Sequence, residues 1–393
     1  MNRNKTFSAF AALATATVLA LTACAPQSHE ETPATTPASS STVKASEVVA
    51  LPVGDPFDEA AWSLETGQAT LTVTPERLVA IDGNTVRAWT ADGKEAWSYE
   101  APKTTFSIQV LKETVAVVAP GQSDGEGLDK TKDFIDVTLL ALQDGDVVAN
   151  TVVPLSASSL HSTPGNGLAF RDTEQYSGFI AVAEDGNIHK VDTSLSNASP
   201  TFGTVSGIPY WASGSDDILT ENWNARDLGL GMSDVKLIDD RQGLLLLSNT
   251  SGKGDTDALS MVQAETGAIL YTVSCPTDQY GWGASGGNDG NAARNSPNGQ
   301  YGVAAGLVFS AVKSQCVGGG EQQNVGLTAV GNNGTAYGET AEGELVVVSL
   351  GSEPEVSPLP EGASAPIGVM DGNIAIHWDQ ITGVATGNPI NAN

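Results

Sequence analysis

The sequence predicts an all-β chain of many short antiparallel strands. Three observations carry that prediction: apolar runs that are all short, turns marked by Asp-Gly, and one strand-turn-strand pattern that returns along the chain. With 43 Gly and 19 Pro in 393 residues and 40% hydrophobic content, no stretch sustains a long helical period. Strands of about four to six residues punctuated by turns suit such a composition.

The pattern is clearest from Arg77 to Pro102. Leu78 to Ile81 is an apolar run, Asp82-Gly83-Asn84 a turn triplet, and Thr85 to Thr90 a second run. Asp92-Gly93 then turns into Ala96, Trp97, Ser98 and Tyr99. Asp-Gly between apolar runs signals a hairpin because glycine takes positive φ without a Cβ clash. The triplet returns in IAVAEDGNIHKV (Ile180 to Val191) and PIGVMDGNIAIHW (Pro366 to Trp378).

Asp82, Asp185 and Asp371 are separated by 103 and 186 residues, close to two and four units of about 48. That period places the copies in units one, three and seven of a repeat array. Phe134 to Val153, Gly243 to Val273, Asn295 to Phe309 and Glu344 to Leu350 supply further strands. The expectation is a β-propeller over residues 55–393, of about seven blades, with eight shorter ones as the alternative. The phase blurs between Val205 and Asp234. Ring closure requires an N-terminal strand, Ala61 to Thr66 or Thr70 to Val73, beside a final blade of Ile367 to Asn388.

The succession of apolar strand, Asp-Gly-Asn, alternating strand, Gly and Trp resembles the pyrroloquinoline-quinone (PQQ)-type repeats of the quinoprotein-like superfamily. Leu78 to Trp97 is the best copy; Gln263 to Tyr271 and Trp378 to Ala385 echo its turn. The resemblance implies a propeller, a fold shared there by cofactor-dependent dehydrogenases and cofactor-free scaffold lipoproteins. The dehydrogenases use an aromatic platform, a bound Ca²⁺ and a catalytic Asp, often with vicinal cysteines. This sequence has no adjacent Cys pair, so no catalytic residue is transferred and no cofactor is expected.

The first 23 residues read as an export signal: Arg3 and Lys5, an apolar run from Phe7 to Leu21, then Leu21-Thr22-Ala23-Cys24. That ending resembles the lipobox of bacterial lipoproteins, which implies a lipidated Cys24 as the mature N-terminus. The alternatives are an ordinary secretory signal or a permanent anchor, although a run of about 15 residues is short for a membrane span. Residues 24–54 form a Ser/Thr/Pro-rich linker that reaches ~30 Å as a flexible chain. With Cys24 lipidated, Cys275 and Cys316 remain as an even pair in an exported protein, so a disulfide between them is expected, with free thiols as the alternative.

Removing the signal takes Arg3 and Lys5 and no acid, leaving 16 basic against 46 acidic residues, a formal charge of −30. Such a chain is a poor ligand for nucleic acid or for an anionic lipid surface, so the lipid acts as a tether.

No metalloprotease, serine-hydrolase or paired Cys motif is present. His189 and His377 follow repeated Asp-Gly-Asn-Ile segments and suggest a repeated strand position. The acidic segment from Asp124 to Asp133 lacks calcium-loop spacing, with Leu128 where a ligand belongs. No metal site is expected. Two polar stretches carry aromatics: Tyr210, Trp211 and Trp223 within Ile208 to Asp234, and Tyr280 and Trp282 within Asp278 to Asn298. They are either a binding face or wedges between blades. The sequence thus points to a monomeric, non-enzymatic protein- or ligand-binding scaffold tethered outside the cell membrane beside an envelope protein partner, with a quinoprotein-like oxidoreductase or a propeller hydrolase as the alternative.

Overall fold

A computed structural model describes residues 49–391 except 68–69, 103–105, 124–131, 155–167, 173–177, 193–201, 206, 213–217, 231–233, 240–242, 250–255, 277–293, 305 and 318–324. Among the described residues every regular element is a strand, and the strands form eight antiparallel sheets arranged as a β-propeller. The first sheet runs Leu71–Val73, Leu78–Asp82, Thr85–Trp89, Glu95–Glu100; the second Ser107–Val110, Thr114–Ser123, Lys132–Ala141, Val147–Val153. The third has Ala169–Asp172, Gly178–Val182, Ile188–Asp192, and the fourth Phe202–Val205, Ile208–Ala212, Ile218–Thr220. The fifth is Asp234–Asp239, Leu244–Asn249, Thr256–Gln263, Ile269–Pro276; the sixth Arg294–Asn295, Tyr301–Ala304, Leu307–Ser310, Ser314–Cys316. The seventh is Gly326–Val330, Thr335–Glu339, Glu344–Ser349, Glu355–Pro358. The eighth takes Gly368–Met370, Ile374–Asp379 and Val384–Pro389 from the C-terminal end, and Trp62–Glu65 from the N-terminal end as its outer strand.

Trp62 to Glu65 pairs with Gly387 to Val384. The closing strand is therefore the Ala61 to Thr66 segment, and Leu71–Val73 belongs to the first sheet instead. A bridge between Phe57 and Ile390 brings the two ends together. Joining the ends within one sheet removes a free edge that would otherwise template association.

The sheets number eight, matching the shorter-blade alternative rather than the spacing estimate of seven. The interval from Asp185 to Asp371 holds five steps, because the fourth sheet is compact: Phe202 to Thr220 supplies three strands where the sequence shows no clear phase. The Asp-Gly-Asn triplets are not equivalent either. Asp82 joins the second and third strands of its sheet, whereas Asp371 joins the first and second. Gly186 receives the Thr151 hydroxyl on its carbonyl at 2.7 Å, so the Asp185 turn meets the preceding sheet's outer strand, as the Asp144-Gly145 turn does. Gly83, Gly186 and Gly372 have φ of 63°, 82° and 75°. The triplet encodes a tight left-handed turn, which any hairpin of an antiparallel sheet can use.

The core lies in the seams between sheets. Val79, Val86, Ala88 and Trp97 pack on Val115, Val117, Leu140 and Leu142 across the first seam. Val118, Ile135 and Leu139 meet Phe170 and Ile180 across the next. A sheet buried on both faces needs apolar residues at successive positions, which is why LVAI and LLLL runs appear in place of strict alternation.

A repeated clasp closes the outer part of these seams. Trp97 on an outer strand donates its indole N–H to the Leu142 carbonyl in the next sheet's last turn at 2.9 Å. Trp62 does the same to Ala91 at 2.8 Å, and Trp223 to Ala264 at 2.7 Å. Each ring covers a positive-φ glycine, Gly145, Gly93 or Gly267, where an added Cβ would stand 2.6–2.8 Å from it. Elsewhere the Tyr271 hydroxyl donates to the Ser310 carbonyl at 2.9 Å, and Gln315 reaches Ser352.

Candidate functional site

Alternation of strand direction gives the ring two unlike ends. One carries the turns joining first to second and third to outer strands, and these turns span two to five residues among the described sheets. They interlock: Arg77 donates to the Gln143 carbonyl at 2.7 Å, Asn298 to Asn332 at 2.7 and 3.0 Å, and the Asp371 amide to the Pro75 carbonyl at 2.7 Å. The Glu113 amide reaches Glu184 at 3.3 Å. These bonds tie turns of neighbouring sheets to one another.

The other end carries the connections between second and third strands and from each outer strand to the next sheet. The described strands that flank 124–131, 193–201 and 277–293, sequence stretches of 8, 9 and 17 residues, end here. Long connections on a rigid frame are where binding residues concentrate. Tyr280 and Trp282 belong to the 277–293 connection, which leaves from this end; their placement lies outside the described residues. Ile381, 93% exposed, tips the Asp379 to Gly383 turn on the same end. That turn is organised by Asp379, which accepts from the Thr382 hydroxyl at 2.7 Å and the Ile381 amide at 2.8 Å; these bonds hold its carboxyl below the usual range.

Of the five candidate aromatics, three pack into seams between sheets, Tyr210 buried and Trp211 and Trp223 half-buried. Tyr210 is fully buried among Val205, Ala225, Leu245 and Leu247, between the fourth and fifth sheets. Trp211 points to the opposite seam and lies 6.2 Å from the Phe179 ring. Trp223 is the clasp described above. The stretch Ile208–Ala212 is a strand, so its alternation sends consecutive side chains into the two neighbouring seams. Trp62, which the sequence reading passed over, has the same clasp role.

Cys275 and Cys316, 41 positions apart in sequence, form a disulfide with Cα atoms 5.9 Å apart. It links the outer strands of the fifth and sixth sheets close to the points where the chain leaves for 277–293 and 318–324. Cys24 lies outside the described residues.

The two domain histidines among the described residues, His189 and His377, are not equivalent. His189 is exposed on an outer strand, whereas His377 is 1% exposed on the second strand of the eighth sheet. Burial pushes the His377 imidazole down to about 4, against a smaller raising effect of its hydrogen bond to Ser364. Among the described residues no group of three His, Cys, Asp or Glu side chains converges on a metal-sized site, and no helix is long and apolar enough to cross a membrane.

No known protein family and no curated protein matches the chain. Among solved structures, BamB from Moraxella catarrhalis aligns with 11% identity and a TM-score of 0.44, over 87% of this chain and 100% of that one. Hsv2 from Kluyveromyces lactis aligns with 8% identity and a TM-score of 0.37, over 81% and 95%. BBS1N, solved in complex with ARL6DN, aligns with 10% identity and a TM-score of 0.35, over 88% and 98%. The fold assignment rests on the sheets themselves.

Proposed function

We propose that this protein is a lipid-anchored, extracytoplasmic β-propeller that acts as a non-enzymatic scaffold and holds an envelope protein partner on its connection end. The observation that carries this reading is the asymmetry of the ring. Turns at one end are short and bonded to one another, while at the other end the described strands break off for the longest stretches of sequence, including the one that contains Tyr280 and Trp282. Packed seams beneath long connections form the arrangement a docking surface needs.

Cys24 supplies the tether, and residues 24–54 hold the ring away from the lipid. The acidic exterior keeps the ring off anionic head groups, leaving the connection end open to a protein.

The test is crosslinking of the full chain in cells, followed by purification and identification of the adducts. A discrete protein adduct that disappears when 277–293 is replaced by a short Gly-Ser turn is the expected result. Saturable binding of quinone and Ca²⁺ with dye reduction by the purified protein would replace the scaffold reading with an oxidoreductase.

A further inference from the structure

The N-terminal segment that closes the ring is held at a buried histidine. Residues 49–61 form a strap over the seam between the seventh and eighth sheets. The Val49 amide donates to Ser63, the Asp58 amide to the Pro389 carbonyl at 2.9 Å, and Asn388 to the Asp58 carbonyl at 2.9 Å. Val53 and Phe57 pack with Tyr337, Leu359, Ala365 and Ala375. His377 stands in the middle of this contact. Its ring meets Phe57 edge-on at 4.7 Å between centroids, and Phe57 in turn lies 5.3 Å from Tyr337.

The hydrogen bonding defines the state of the imidazole. Nδ1 lies 3.0 Å from the Ser364 carbonyl, which can only accept, so Nδ1 carries the proton. Nε2 is then the bare nitrogen of a neutral ring, and it is buried without a hydrogen-bond partner. A proton added at Nε2 creates a cation whose new N–H has no acceptor in an apolar enclosure. Water can solvate it only if the strap lifts.

We propose that His377 is an acid-sensitive latch: protonation at Nε2 releases Phe57 and lifts the N-terminal strap from the seam before the other sheets open. The titratable groups on the surrounding elements are Asp55, Asp58 and Glu59 on the strap, Tyr337, Glu339, Glu344 and Glu355 on the seventh sheet, Glu361 in the 359–367 connection and Asp379 on the same strand. Glu339 accepts from the Ala365 amide. Burial holds the Tyr337 hydroxyl up at about 12, so it stays neutral throughout. With several ionisable groups on these elements, a variant lacking only the imidazole is needed to assign the effect.

Hydrogen exchange of the full chain, corrected for intrinsic rates, reads the latch directly. From pH 7 to pH 5 the opening equilibrium of peptides within 51–61 is expected to rise roughly twentyfold, while the second sheet keeps its protection. His377→Gln, which carries no titratable ring, is expected to remove that pH dependence. Strap exchange that is flat with pH, or equally pH-dependent in His377→Gln, would overturn the proposal. Should the variant not fold, the wild-type His377 ring resonance decides: titration well below the ordinary histidine range supports the latch, and titration near 6.5 refutes it.

Discussion

Trp97 and Leu142 sit on different sheets, 45 residues apart, yet the indole N–H of one donates to the main-chain carbonyl of the other at 2.9 Å. This contact makes the outer strand of one sheet the lid on the last turn of the next, and Trp62 and Trp223 repeat it. Replacing Trp97 by Phe retains much of the packing and leaves the Leu142 carbonyl without its donor, a cost of about 1–3 kcal/mol. Trp97→Ala adds the loss of the ring and is expected to cost about 3–5 kcal/mol. Denaturant unfolding of the two variants checks the order.

The glycine beneath the ring makes a second prediction. Gly145 has φ of 76°, and a Cβ there would stand 2.8 Å from the Trp97 ring; Gly83 has φ of 63° with nothing within 4 Å. Gly83→Ala therefore meets only the backbone penalty, about 1–2 kcal/mol. Gly145→Ala meets that penalty and a steric clash, and is expected to lower the denaturation midpoint clearly further. Equal midpoints for the two would show that the indole is not held against the turn.

The disulfide between Cys275 and Cys316 closes a loop of about 40 residues and should contribute about 2–4 kcal/mol, mainly by restricting the unfolded chain. Reduction is expected to lower the melting temperature of the wild type and to leave a Cys275→Ser, Cys316→Ser double variant unchanged. Calorimetry with and without reductant makes the comparison.

Acid destabilises this fold through identifiable groups. The His377 folded value, about 4, lies below its ordinary 6.5, so between them the unfolded chain binds more protons. Stability from this group is complete above about pH 6.5, falls as pH drops through that window and levels off below about 4, a total of about 3 kcal/mol at most. Asp379 acts in the same direction: its folded value is depressed by Thr382 and Ile381, so its contribution is present above its unfolded value and lost on acidification. Unfolding free energies from pH 7 to pH 4 in wild type and His377→Gln separate the histidine share.

Much of the fold was legible because strands and hairpins are local. The runs Leu78 to Ile81, Thr85 to Thr90 and Ala96 to Tyr99 correspond to strands, and so do those around Asp144-Gly145. The blade count was not legible from the triplets, since Asp-Gly-Asn reports a backbone turn and carries no information about which hairpin of a sheet it closes. The clasps were legible in part. Trp97 fell inside the repeat, while Trp62 and Trp223 have partners 29 and 41 residues away, and only the ring geometry brings them together. Tyr210 and Trp211 were hard to place for a related reason: polar neighbours suggested a loop, but a strand between two seams packs one aromatic against each.

A photoreactive amino acid at single sites on the two ends of the ring tests the scaffold reading most directly. Ile381 and Val312 are 93% and 85% exposed, the first on the connection end and the second on the turn end. Illumination of cells carrying each variant is expected to yield a discrete protein adduct from position 381 and none from position 312. Adducts from position 312 alone, or none from 381 when the protein is correctly tethered and folded, would contradict the account.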